Sequence, residues 1–176
     1  MNLEADRQQL ERLLARFRSG QANIQQILEL TEVLERVRLL DKQSRIGKYD
    51  GRDILEEGLK RFPNSPELTH ELAKARNPYG DRNGERKLFR RAAKLYRDQG
   101  RFLEADHVIE QLASDLFAEG IEAMDSGDHH KAEQNFQRAI RVYPFHADAW
   151  IHRGILQDES GQTTEAIRLG RFEARD

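Results

Sequence analysis

The sequence predicts an all-α protein, an α-solenoid of antiparallel helical hairpins. Three observations carry that prediction. The chain is rich in Leu, Ala, Glu, Arg, Lys and Gln, which are good helix formers. Apolar residues recur at three- and four-residue steps, and the strict alternation that marks a half-buried strand is missing. Near the C-terminus one pattern of small and bulky residues repeats at an offset of 34: Leu116 with Trp150, Gly120 with Gly154, Gly127 with Gly161 and Ala132 with Ala166. A repeat of that length marks stacked helical hairpins, which offer a surface to a partner rather than a reactive pocket.

Each element follows from its own stripe and its own stop signals. Leu3, Leu10, Leu13, Leu14 and Phe17 form the stripe of a first helix, which Ser19-Gly20 ends. A second helix runs from about Asn23 to Lys42, and its wide apolar arc (Ile27, Leu30, Leu34 and Val37, flanked by Ile24, Leu28, Val33 and Leu40) implies packing on two sides. Tyr49 to Arg61 is a short helix broken by Pro63-Asn64. Ser65-Pro66-Glu67 is a start signal: Ser caps, Pro suits the first helical position, and Glu favours the positive end. The helix it opens ends before Pro78.

The stretch 77–84 is the most irregular, and it separates an N-terminal helical region, 1–76, from a repeat array, 85–176. Glu85 to Gln99 is a helix closed by Gly100, with Leu88, Phe89, Ala92, Leu95 and Tyr96 inward. The ladder Phe102, Ala105, Ile109, Leu112, Leu116 then runs without a breaker, which predicts one continuous helix to Met124. Asp128 can cap a helix from His129 to Val142 that Pro144 ends, and Ala147 to Ser160 and Thr163 to Ala174 complete the series of about nine or ten helices.

Composition excludes several functions. A net charge of -2 gives no global pull toward nucleic acid or acidic membranes. The lack of cysteine removes disulfides, thiolate nucleophiles and cysteine-based zinc sites together, and it fits a reducing compartment. The charged N-terminus is no signal peptide, and no apolar run is long enough to span a bilayer, so the expected location is cytoplasmic with no membrane partner. The chain has no phosphate-binding glycine loop, no HExxH and no nucleophile elbow. It is therefore expected to be no enzyme and to use no cofactor or metal. His129-His130, beside Asp125 and Asp128, fit a capped, solvated turn better than a metal site.

From Ala113 the spacing resembles the tetratricopeptide repeat family. Leu116, Gly120, Ala132, Phe136 and Pro144 fill its bulky, small, small, aromatic and proline positions. The next unit fits through Trp150, Gly154 and Ala166, but Arg153, Gln157 and Gly170 depart from the pattern. An earlier unit begins near Arg86, with Phe89, Ala92, Ala93, Tyr96, Gly100 and Ala105 in place. A degenerate hairpin ends at Phe62-Pro63, with Gly51 in the small position.

The resemblance implies a scaffold or adaptor that binds a protein or peptide on a concave face lined by the first helix of each hairpin. The groove positions it implies are Ser114, Phe117, Ile121, Met124 and Asp125 in one unit and Asp148, Ile151, Ile155, Asp158 and Glu159 in the next. Burial by neighbouring helices would account for the apolar members equally well. Arg90 and Lys94 occupy basic-compatible groove places, but Ala118 and Asp148 stand where the family's carboxylate clamp needs asparagine and lysine.

The helix from Glu85 is strongly basic, through Arg86, Lys87, Arg90, Arg91, Lys94 and Arg97. Such a face suits an acidic peptide, a phosphate group or RNA, although a solvated surface is the more ordinary explanation. It lacks the interleaved aromatics that single-stranded nucleic acid favours, so nucleic acid is the weakest alternative. Ile167, Leu169 and Phe172 leave the last helix without a polar cap, which opens self-association or membership of a larger enzyme or regulator as further readings.

Overall fold

The computed structural model describes residues 3–40, 50–76 and 82–159. Among them are eight helices and no strand: α1 Leu3–Arg18, α2 Ile24–Leu40, α3 Gly51–Arg61, α4 Pro66–Arg76, α5 Arg82–Asp98, α6 Phe102–Asp125, α7 His129–Val142 and α8 Ala147–Glu159. The count is eight rather than nine or ten, and the helix expected at Thr163 lies outside the described residues. The chain divides into two compact units, Met1–Ala105 and Asp106–Asp176, and the division falls within α6.

The first unit is built on aliphatic packing. Leu10, Leu13, Leu14 and Phe17 of α1 join Ile27, Leu30, Val33, Leu34 and Val37 of α2, Ile54 and Leu55 of α3, and Leu68 and Leu72 of α4 in one core. The wide arc of α2 has its explanation here, since its stripe is shared among three other helices. Asn23 opens α2 with a reciprocal cap: its Oδ1 accepts from the Gln26 N–H at 2.9 Å, and its own N–H donates to Gln26 Oε1 at 3.2 Å. Ser65 opens α4 as its sequence implies, its hydroxyl accepting from the Leu68 N–H at 3.2 Å.

In the hairpin that ends at Phe62-Pro63, formed by α2 and α3, Gly51 is buried, but the closer approach is at Gly58. A methyl group on Gly58 would lie 3.2 Å from Ile27 Cγ2 and 3.3 Å from Leu68 Cδ1, whereas one on Gly51 would meet only Glu35 Oε1, at 3.8 Å. Residues 82–84, read from the sequence as the end of a linker, form the first turn of α5, and 77–81 lie outside the described residues.

α6 is unbroken over 24 residues, as its ladder predicts. Ala105, Val108, Leu112, Ala113 and Leu116 are buried along it. Phe102 is not, being 63% exposed, because it precedes the first complete turn. The turns on either side of α6 use the same device. Gly100 and Gly127 adopt φ of 74° and 79°, and the N–H groups of each glycine and its successor close back onto the preceding helix. A side chain at either position would strain the backbone.

In the second unit Ala123, Ala132, Phe136 and Leu156 form the buried cluster, with Phe117, Ile121 and Met124 packed against it. The Phe136 ring lies on Gly120: a methyl group there would stand 2.6 Å from Phe136 Cδ1. Glycine is therefore the reason α6 and α7 can approach with a fully buried aromatic between them. Asp128 caps α7 by accepting from the Lys131 N–H at 3.0 Å.

Candidate docking surfaces

The structure brings three of the expected groove residues into one cluster. Phe117, Ile121 and Met124 of α6 are half-buried against the α7 and α8 side chains. Phe117 stands 5.5 Å from the Phe136 ring and 5.1 Å from each of His146 and His152. These residues thus do structural work whatever else they touch. Ser114 and Asp125, on either side of this cluster along α6, are exposed.

α8 presents two faces. Ala149 and Leu156 point inward, while Asp148, Ile151, Ile155 and Asp158 lie on the solvent side. Ile151 is 57% exposed and Ile155 44%, one turn apart. Trp150, aligned with the buried Leu116, is itself 50% exposed, and its indole N–H donates to the Pro144 carbonyl at 2.9 Å. Nearby, Phe145 is 83% exposed.

The two histidines here carry a role that the sequence reading missed. His146 Nδ1 accepts from the Ala149 N–H at 3.3 Å and so caps α8. His152 Nδ1 lies 2.9 Å from the Asp148 carbonyl, which can only accept, so the proton belongs on Nδ1. The available signal was the position of His146 just ahead of the helix start.

In the first unit, Arg90 and Lys94 sit on the exposed face of α5. Phe89, Ala92, Ala93 and Tyr96 turn inward, which leaves Lys87, Arg90, Arg91, Lys94 and Arg97 outside. Arg91 Nη2 donates to the Pro63 carbonyl at 2.7 Å, and Lys94 pairs with Asp98 at 2.6 Å. Lys87 with Arg91, and Arg90 with Lys94, are like charges four residues apart, and each such pair costs a helix about 0.2–0.5 kcal/mol.

The end of α5 is anchored by Arg101. It bonds to Glu67 and, at 2.8 Å, to Glu104, and its guanidinium lies 4.6 Å from the centre of the Tyr96 ring. Burial pushes the Glu67 carboxyl up, but hydrogen bonds from Arg101, from its own N–H and from Ser65 outweigh burial and hold it below its ordinary value. The Ser65 hydroxyl donates to Glu67 Oε2 at 2.9 Å while it caps α4, so one residue orders both the helix and the ion pair.

A cleft of about 500 Å³ opens among α2, α3 and α4. Much of its charge is paired: Arg38 with Glu35 at 3.1 Å and Asp50 at 3.8 Å, and Lys74 with Glu71 at 2.6 Å. Among the described residues no three His, Asp or Glu side chains gather as a metal-holding group, and no helix is long and apolar enough to cross a membrane.

Paired helices joined by tight glycine turns, with a glycine beneath an aromatic ring in the α6–α7 pair, define a helical-hairpin repeat protein. A tetratricopeptide repeat model matches residues 117–172 and assigns that segment to the tetratricopeptide repeat family. Repeats of this kind are non-catalytic and generally mediate protein interactions. No curated protein matches the chain.

Proposed function

We propose that this protein is a scaffold or adaptor, an α-solenoid that binds a peptide or helix of a partner protein. The observation that carries the reading is on α8, where Ile151 and Ile155 stand exposed one turn apart with Asp148 on the same face. Apolar anchors at that spacing suit a partner helix or an extended peptide. Phe117, Ile121 and Met124 would continue the apolar lining from α6, beside Ser114 on the same helix, and Arg90 and Lys94 would separately offer basic contacts on α5. The repeat family of residues 117–172 supports the interaction role.

The test is an affinity capture from the native host with the full chain as bait, repeated with Ile151→Ser/Ile155→Ser. Loss of a specific partner with an unchanged melting curve is the expected result. A partner retained by the double variant would overturn the α8 surface. Phe117→Ser is a poorer probe, because that ring also touches Phe136, His146 and His152.

A further inference from the structure

We propose that the exposed row Lys87, Arg90, Arg91, Lys94 on α5 is a docking site for an acidic protein segment. The inference rests on the interaction role above and names a partner chemistry for it.

The first argument is that the row is unfavourable by itself. Like charges three and four residues apart repel along this face; the Arg91 bond to the Pro63 carbonyl and the Lys94 pair with Asp98 offset part of that, while the inward side of α5 is supplied by Phe89, Ala92, Ala93 and Tyr96. The exposed face of α1 shows the ordinary alternative, mixing Glu4, Gln8, Glu11 and Arg12. The repulsion among Lys87, Arg90 and their neighbours thus exceeds what the Arg91 and Lys94 contacts offset, and the face keeps a local excess of positive charge. A polyanionic partner would turn the repulsion into attraction.

The second argument selects the occupant. Lys87 and Lys94 are seven residues apart, about 10 Å along the axis. An extended peptide with acidic residues at every second position repeats at about 7 Å on one side, so two or three carboxylates fit the row. Nucleic acid fits less well. The aromatics of α5, Phe89 and Tyr96, are only 2% and 6% exposed, so no ring is available to stack a base. The chain's net charge of -2 also opposes a long polyanion, whereas a short segment meets only the row within a Debye length of about 8 Å.

The experiment uses the full chain and a fluorescent 12-residue peptide of alternating Glu and Ser, amidated at its C-terminus so that no terminal carboxylate takes part. Its Gln–Ser counterpart and a six-nucleotide oligouridylate serve as comparisons. Anisotropy should show the Glu peptide binding at least five-fold tighter than the Gln peptide at low salt. Lys87→Glu/Arg90→Glu should reduce that binding ten-fold or more. The same variant should melt no lower than the parent, since it relieves repulsion, and Lys87→Gln/Arg90→Gln should show an intermediate loss.

Equal affinity for the Gln peptide, or no effect of either variant, would overturn the proposal. So would displacement of the peptide by oligouridylate at lower concentration, which would mark a nucleic-acid surface. Loss of peptide binding in Ile151→Ser/Ile155→Ser but not in the α5 variants would place the probe on α8. That outcome sinks the α5 site while leaving the docking role intact.

Discussion

The first unit packs leucine, isoleucine and valine from four helices into one core, whereas the second centres on alanines around a single buried phenylalanine. The surfaces differ less: Leu39, Phe102 and Leu103 are exposed in the first unit, and Phe145, Trp150, Ile151 and Ile155 in the second, where Ile151 and Ile155 stand one turn apart on α8. Long aliphatic side chains interlock and seal a bundle. Small ones let backbones approach closely, as Gly120 does beneath the Phe136 ring.

Breaking the aliphatic core should have the largest effect. Leu30 is fully buried, and Leu30→Ala should cost about 2–5 kcal/mol, read as a shift in the urea midpoint. Gly120→Leu tests the alanine-based unit. With Phe136 already against the glycine, overpacking should cost about 1–3 kcal/mol. An unchanged melting temperature would refute the glycine–ring contact.

Next comes Glu67→Gln, at about 1 kcal/mol near neutral pH, since the Arg101 pair is partly solvated. The folded carboxyl titrates below its ordinary value of 4.5, so its stabilisation is complete above that value and lost as pH falls through the lower one. The variant should therefore lose its deficit in acid, which stability curves from pH 7 to 3 would reveal. Ile151→Ser/Ile155→Ser should be smallest, within about 0.5 kcal/mol by the same measurements, because both side chains are exposed.

Much of this architecture is legible in the sequence because its signals are local. Ser65 and Asp128 announce their helices through side chains that reach only three residues on. The continuity of α6 follows from an apolar ladder with no breaker. What the sequence hides depends on distant neighbours. Gly51 and Gly58 look alike in a string of letters, and only the approach of Ile27 and Leu68 separates them.

Trp150 occupies the place of Leu116 in the repeat, yet it is half exposed, because burial depends on what lies opposite rather than on register. The pairing of His146 and His152 around Phe117 likewise joins α6 to the start of α8 across about 30 residues of chain, beyond the reach of any periodicity. Of the residues expected to line a groove, spacing places Ile151 and Ile155 on one face of α8, but it does not decide that Phe117 packs against the core.

The indole tethered to the Pro144 carbonyl has a practical consequence. Trp150 is the sole tryptophan of the chain, and it sits one residue from Ile151 on a helix surface open to water. Its emission is a native reporter for that surface. A molecule settling over α8 should shift the fluorescence toward the blue without any attached dye.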